Sequence, residues 1–155
     1  MKKLILAFAA VSALTVAAFE EEEPFSEYYV GAGAVSLIPQ GGGNMKRALT
    51  GGTLRAGWYA GEFIAIEAEA AWLEHTAGLS LQALWHWWGF EQLDPFFTFG
   101  ARGWISGDAG PSAGAGLFYH FNDEWSIRFD TNATLGLDSD VEMVYNVGVG
   151  IQRTL

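Results

Sequence analysis

The sequence predicts an all-β protein, an eight-stranded antiparallel up-and-down transmembrane β-barrel whose polar lumen is plugged by side chains. Three observations predict this fold. Apolar and polar residues alternate with a period of two, as in residues 124–136 (EWSIRFDTNATLG). Turn-forming residues divide this alternation into segments of strand length. One of the two resulting faces is continuously apolar, whereas the other carries charges and many glycines.

Residues 1–18 are expected to be a secretory signal peptide. Two lysines precede an apolar run that ends at the small residues Val16 and Ala18, after which cleavage is expected. The run is short for a membrane-spanning helix, and no later apolar run is long enough to span a bilayer as a helix. Residues 19–27 then form an acidic leader, which we expect to lie in the periplasm.

The mature chain is expected to be strongly acidic. Loss of Lys2 and Lys3 leaves 8 − 2 = 6 basic residues against 18 acidic residues, which gives a net charge near 6 − 18 = −12. Such a chain is unsuited to binding nucleic acid, which is itself polyanionic. The chain contains no cysteine, so an exported form needs no disulfide.

The predicted barrel occupies residues 28–155 and opens with four strands. The first three strands each stop where glycine, proline, asparagine or threonine residues favour a turn. These strands are 28–38, 50–60, 63–74 and 79–90. The segments between them are 39–49, 61–62 and 75–78.

Four further strands complete the predicted barrel, and the alternation is clearest in the seventh. These strands are 95–105, 111–121, 124–135 and 140–154. The turns and loops before and between them are 91–94, 106–110, 122–123 and 136–139. No helical period competes with the period of two after the signal peptide.

The content of the two faces decides which one points inward. Five strands have an apolar face without a single charge, as the third strand does between Ile64 and Trp72. A soluble barrel that buried this face would crowd its interior and expose arginines and glycines, and glycine weakens an exposed strand. In a membrane the apolar face meets lipid and the polar face lines the lumen. The barrel must then close, because hydrocarbon offers no partner for an open strand edge.

The lumen of eight strands is just wide enough to be filled by side chains. Its charges must pair, since an unpaired arginine in a low-dielectric interior is costly. The predicted lumen charge network consists of Arg55, Glu67, Glu69, Arg102, Arg128, Asp130 and Glu142. By parity, five aromatic side chains share the lumen: Tyr59, Trp88, Phe96, Trp104 and Phe118. The network is interpreted as a structural plug, with a gate for small ions as the sharper hypothesis.

An aromatic girdle follows from the same strand assignment. With the amino terminus in the periplasm, the first strand runs outward. Lipid-facing aromatic residues then gather near the periplasmic turns: Tyr28, Trp58, Trp87, Phe97, Phe121 and Trp125. Trp72 is the clearest girdle residue near the outer surface. Such girdles are typical of the two membrane–water interfaces.

The chain resembles the OmpA-like family of small outer-membrane barrels, without that family's separate peptidoglycan-binding domain. The resemblance rests on EYYVGAGA, FIAIEAEAAWLE, DPFFTFGARGW and GAGLFYHFNDEWSIRFD. It implies localisation in the outer membrane, contact with outer-membrane lipid and insertion by the outer-membrane assembly machinery. It also implies a buried lumen network that includes Glu67 and Arg128. Phe118 stands where the resemblance implies an acidic partner, and the chain ends on Leu155 where family members usually end on an aromatic residue.

The predicted function is that of an integral outer-membrane barrel with a mainly structural role, with a minor small-solute or ion path as a further hypothesis. No catalytic residue, cofactor or metal site is predicted. His75, His86 and His120 show neither the histidine–serine spacing of lipid A deacylases nor metal-ligand spacing. Two alternatives stay open: a lipid-modifying barrel enzyme of the outer membrane, and a soluble periplasmic lipocalin-like binder. The oligomeric state is not predicted.

Overall fold

The computed structural model describes residues 27–40, 48–87, 92–105, 109–136 and 143–155. The strands are β1 (Glu27–Gln40), β2 (Leu49–Tyr59), β3 (Ile64–Leu73), β4 (Thr76–His86), β5 (Leu93–Trp104), β6 (Ala109–His120), β7 (Trp125–Leu135) and β8 (Met143–Thr154). No helix in these ranges is long and apolar enough to cross a membrane. The predicted signal peptide, the leader up to residue 26, Trp88 and Glu142 lie outside the described residues.

The strands form one closed barrel in which each strand pairs with the next and β1 pairs with β8. Every pairing is antiparallel, so the up-and-down topology predicted from the sequence is confirmed. Closure satisfies the edge hydrogen bonds that an open sheet would leave unpaired. We call the end where β1 begins and β8 ends the terminal end, and the opposite end the loop end.

The register gives the barrel a fixed stagger. A path around the barrel starts at Arg102 and moves at each step to the residue paired with the last one on the neighbouring strand. It passes through Ser80, Glu69, Arg55, Gly31, Gln152, Ser126 and His120. The amide of His120 donates to the carbonyl of Gln92, so this path returns to the β5 side ten residues before Arg102. Spread over eight strands, the stagger shifts the level by slightly more than one residue per strand, which tilts the strands against the barrel axis.

The predicted strand bounds agree with the structure except at a few turns. Residues 76–78 were predicted to lie in the loop before the fourth strand. The structure instead begins β4 at Thr76, because the β3–β4 turn uses only residues 74 and 75. Gly78 fits inside the strand because the ring of Trp104 lies where its side chain would be. Similarly, Asp94 was expected in a turn and lies in β5, opposite Phe118.

Side chains partition in the inverse of the pattern seen in soluble proteins. Large apolar residues lie on the outside with 44–65% of their surface exposed: Leu54, Leu79, Phe99, Phe129, Val149 and Ile151. Charged residues inside the barrel are at most 7% exposed: Arg55, Glu67, Glu69, Arg102, Arg128 and Asp130. The apolar face therefore points outward and the charged face points into the lumen, as predicted.

Two glycines on the lumen face make room for aromatic rings. A methyl group at Gly57 would overlap the ring of Tyr29, and one at Gly116 would overlap the ring of Phe96. Tyr29 and Phe96 are both fully buried, each with 1% of its surface exposed. The narrow lumen of an eight-stranded barrel accepts such rings only where the facing wall carries no side chain.

Candidate functional site

The centre of the lumen holds a connected network of charges. The described residues contribute the guanidinium groups of Arg55, Arg102 and Arg128 and the carboxylates of three acidic residues, Glu67, Glu69 and Asp130. The strands position them by parity, because each residue falls on the inward face of its strand. Glu142, the seventh residue predicted for this network, lies outside the described residues.

Arg128 is the most enclosed charge of the network. Its Nη1 lies 2.5 Å from Oε2 of Glu67, and its Nε lies 2.6 Å from Oδ2 of Asp130. Its guanidinium carbon also lies 4.8 Å from the ring centroid of Phe96 and 5.4 Å from that of Phe118. Two carboxylates and two aromatic faces thus compensate for the hydration that this cation loses on burial.

Glu67 has two neutral partners that the sequence analysis did not include. The hydroxyl of Tyr29 donates to Oε2 over 2.9 Å, and Nε2 of Gln82 donates to Oε1 over 2.8 Å. Gln82 pairs with Glu67 across the β3–β4 register. The alternation of the sequence places both residues on the inward face of their strands. It does not show that they lie close to Glu67, because that distance depends on the register and stagger of the strands.

The other two arginines share one carboxylate. Nε of Arg55 lies 2.6 Å from Oε2 of Glu69, and Nη2 of Arg102 lies 2.5 Å from Oε1 of the same residue. Arg55 also reaches Asp130, with its Nη2 3.1 Å from Oδ2. Asp130 therefore joins Arg55 to Arg128, and all six charges form one continuous network.

Buried apolar side chains flank the charge network at both ends of the lumen, and they include Phe96, Trp104 and Phe118, which the sequence placed there by parity. Buried apolar side chains form a cap at the loop end: Val35, Leu37, Leu49, Ala71, Leu73, Trp104 and Val144. A second, more aromatic cap lies at the terminal end: Tyr29, Ala65, Leu84, Phe96 and Phe118, with Tyr59 against it. Apolar caps keep water away from the network and so strengthen its electrostatic interactions.

A histidine–aspartate group lies at the terminal end beside the second cap. Nδ1 of His86 is 2.6 Å from Oδ2 of Asp94, and Nε2 of His120 is 3.8 Å from the same oxygen. The His86 ring stacks on Phe118 with centroids 5.8 Å apart. The register also places Ser126 opposite His120, a neighbour that the sequence analysis missed. Asp94 lies nearer to His86 than to His120, although His120 is the histidine that pairs with Ser126.

Metal chemistry finds no support at this group or elsewhere in the described ranges. No set of three or more His, Cys, Asp or Glu side chains in those ranges could hold a metal ion. His75, the third histidine, lies in the exposed β3–β4 turn at the opposite end from the other two. The lumen thus offers paired charges and packed rings.

The predicted girdle residues all lie on the outside of the barrel. They are between 37% and 59% exposed: Tyr28, Trp58, Trp72, Trp87, Phe97, Phe121 and Trp125. Six of them surround the terminal end, and Trp72 lies near the loop end with its ring against Gly52. Arg153 adds a cation beside this ring of aromatics, 5.5 Å from the Trp125 ring and 3.1 Å from the Glu124 carboxylate.

Comparison with known sequences and structures identifies the fold. No protein-family model matches the chain, and no curated protein sequence matches it. The outer-membrane protein OprG of Pseudomonas aeruginosa is similar with a TM-score of 0.67 at 9% identity, covering 86% of this chain and 97% of that chain. The amino-terminal barrel domain of OprF, from the same organism, gives 0.62 at 18% identity, covering 84% and 99%.

The attachment invasion locus protein Ail of Yersinia pestis is similar to the same degree. Its complex with the heparin analogue sucrose octasulfate gives a TM-score of 0.64 at 15% identity, covering 84% of this chain and 99% of that chain. These structures are small outer-membrane barrels of the kind that the sequence resemblance implied. The chain therefore has the closed eight-stranded antiparallel fold of transmembrane β-barrels.

Proposed function

We propose that this protein is an integral outer-membrane barrel with a mainly structural role in the envelope. The observation that carries the proposal is the inverted partition of side chains, with charges such as Arg128 and Glu67 sealed inside and residues such as Phe99 and Phe129 exposed outside. In water, the folded barrel would leave this apolar belt hydrated, at a free-energy cost proportional to its area that folding does not recover. Outer-membrane lipid, as the partner of this belt, removes that cost.

The terminal end faces the periplasm in this proposal. Both chain termini of the barrel lie there, as is usual for barrels with an even number of strands. Six girdle residues, together with Arg153 beside Trp125, then lie at the inner interface, where amphipathic rings and long cationic side chains are favoured. Insertion by the outer-membrane assembly machinery belongs to the same proposal, and the amide of Leu155 donates to the Tyr28 carbonyl to complete the β1–β8 seam.

A minor small-solute or ion path is a second candidate function, and the charge network favours it only weakly. An ion crossing the lumen must pass both apolar caps and displace pairs such as Arg55–Glu69, whose atoms are 2.6 Å apart. We therefore expect a resting barrel that conducts poorly, with rare openings in which the arginines exchange carboxylate partners. Conductance recordings in planar bilayers would detect such openings.

The two alternatives have less support. A lipid-modifying enzyme needs an acid that orients the histidine beside its nucleophile, whereas Asp94 is 2.6 Å from His86 and 3.8 Å from His120. A lipocalin-like binder needs room for a ligand, whereas Phe96 and Phe118 fill the lumen with ring centroids 4.7 Å apart.

Fluorescence quenching by lipids whose acyl chains are brominated close to the headgroup tests whether lipid surrounds the barrel. Two single-tryptophan variants form a matched pair, because Trp72 and Trp104 both lie near the loop end but are 47% and 8% exposed. We expect brominated lipid to quench Trp72 strongly and Trp104 weakly. Equal quenching of both, or folding in buffer without any lipid contact, would overturn the proposal.

A further inference from the structure

Among the residues that the structure describes, six buried side chains in the loop half of the lumen hold hydrogen-bond donors that have no partner. These donors are Arg102 Nη1, Trp104 Nε1, Asn146 Nδ2 and the hydroxyls of Thr53, Ser80 and Thr134. None of the six residues is more than 8% exposed. A buried donor without a partner bears the full cost of its lost hydration, so a set of them calls for an explanation.

The register brings these donors to one level of the barrel. Ser80 pairs directly with Arg102 across the β4–β5 register. The pairing path descends by ten residues in one circuit of the barrel, so heights along the barrel axis must allow for this stagger. On that scale, Thr53, Thr134 and Asn146 lie within about two residues of the height of Arg102. Since all of them point into the same narrow lumen, we name Arg102, Thr53, Ser80, Thr134 and Asn146 the donor layer.

Arg102 lies at the positive end of the described charge network, in which arginines and carboxylates alternate as far as Glu67. Arg102 and Arg55 share the single carboxylate of Glu69, and each of its oxygens already accepts from one of them. The next carboxylate, Asp130, lies against Arg55 and Arg128, toward the terminal end. The second terminal nitrogen of Arg102, Nη1, therefore has no hydrogen-bond partner among the described residues.

The layer is also closed to the outside. The apolar cap of the loop end, which includes Leu37, Leu73 and Trp104, lies beyond it, and the charge network lies beneath it. The guanidinium carbon of Arg102 is 5.8 Å from the Trp104 ring, so the cap packs directly on the cation. A cation enclosed in this way interacts strongly with any partner charge because little water screens it.

We propose that the donor layer binds one small monovalent inorganic anion, of the size of chloride, against Arg102 Nη1. The anion accepts hydrogen bonds from the surrounding hydroxyls and from the Asn146 amide, and its charge balances the unshared part of the Arg102 charge. One anion suits the site because, among the described residues, Arg102 shares its single carboxylate partner with Arg55. A divalent anion would exceed the local positive charge.

Buried water is the competing occupant, and the donor inventory favours an anion. Arg102 and Asn146 of the donor layer, and Trp104 of the cap beside it, contribute nitrogens that can only donate. Among the described residues of this layer, Asn146 Oδ1 is the one unpartnered atom that can accept a hydrogen bond but not donate one. Each water brings two donors of its own that need acceptors, whereas an anion brings none.

Equilibrium unfolding in two salts tests the proposal. The full chain is refolded into zwitterionic detergent micelles and unfolded with urea in potassium chloride or in potassium gluconate at equal ionic strength. We expect chloride to raise the urea midpoint, and the folding equilibrium constant to rise about tenfold for each tenfold rise in chloride above the dissociation constant. Crystals grown with bromide are expected to show an anomalous peak beside Arg102. Equal midpoints in the two salts, with only water beside Arg102, would overturn the proposal.

Three variants separate this site from a general salt effect. Arg102→Gln is expected to abolish the chloride response. Thr134→Val keeps every ion pair and removes one donor, so it is expected to weaken the response even if Arg102→Gln fails to fold. Arg153→Gln, whose side chain is about half exposed and lies outside the lumen, is expected to keep the full response. An undiminished response in the Thr134→Val barrel would place the anion elsewhere and contradict the proposal.

Discussion

Arg128 of β7 and Glu67 of β3 meet across the lumen with Nη1 and Oε2 2.5 Å apart, and neither residue is more than 1% exposed. Their strands do not pair with each other in the barrel wall. The ion pair therefore connects opposite sides of the barrel from within, and its partners Tyr29, Gln82 and Asp130 extend that connection to β1, β4 and the rest of β7.

Removal of the Arg128 charge is expected to destabilise the barrel strongly. Arg128→Leu leaves Glu67 and Asp130 buried without their main partner, which typically costs about 3–5 kcal/mol. The measurement is urea unfolding of the refolded barrel in micelles. Arg153→Leu is the control, since its exposed pair with Glu124 is expected to contribute less than about 1 kcal/mol. Equal midpoints for the two variants would disprove the structural importance of the network.

The hydroxyl of Tyr29 is expected to stabilise the barrel through its hydrogen bond to Glu67. Tyr29→Phe removes one donor to a buried carboxylate, and hydrogen bonds to charged groups contribute about 1.5–3 kcal/mol. Tyr28→Phe changes the adjacent residue, which lies on the exterior, and is expected to have little effect. Unfolding of both variants in the same micelles gives the comparison. A Tyr29→Phe barrel as stable as Tyr28→Phe would show that Glu67 needs no donor from β1.

Gly57 is expected to tolerate no side chain. A methyl group in Gly57→Ala would overlap the Tyr29 ring, and overpacking of this kind costs about 1–3 kcal/mol. Gly61→Ala is the matched control, because nothing lies within 4 Å of the position that its methyl group would take. Unfolding midpoints of the two alanine variants should differ clearly. If they coincide, the ring of Tyr29 does not occupy the space above Gly57.

The depth of a charge on the outer face is expected to determine its cost. Phe129→Arg places a cation at the middle of β7, where lipid-facing arginine costs about 2–4 kcal/mol. Phe121→Arg places the same charge in the β6–β7 turn, where the cost falls to about 0–1 kcal/mol. Refolding yield and urea unfolding in lipid vesicles measure both. Equal costs at the two depths would be inconsistent with a membrane around the barrel.

The fold was largely predictable from the sequence because a period of two assigns each residue to one face. That parity placed Arg55, Glu69 and Arg102 inside the barrel before any register was known. It could not show that two arginines share Glu69, since contacts across the lumen depend on the stagger of the closed sheet.

The sequence analysis placed Phe96, Trp104 and Phe118 in the lumen but missed the aliphatic part of the apolar caps. Leu37 and Leu73 also occupy inward positions by parity, so the signal was present, but neither was named as a lumen residue. Packing can seal the two ends of a narrow lumen, whereas charges need partners and therefore gather in the middle. His86 and Asp94 were missed as a pair because Asp94 was expected in a turn.

The heat-dependent mobility of the refolded chain on a gel shows whether the chain forms a closed membrane barrel. The mature chain is refolded into detergent or lipid, and boiled and unboiled samples are compared. We expect a faster unboiled band and β-type circular dichroism, because a closed barrel resists unfolding by the gel detergent until it is heated. A chain that folds as a monomer in buffer without detergent, and shows no such shift, would contradict the outward assignment of the apolar face.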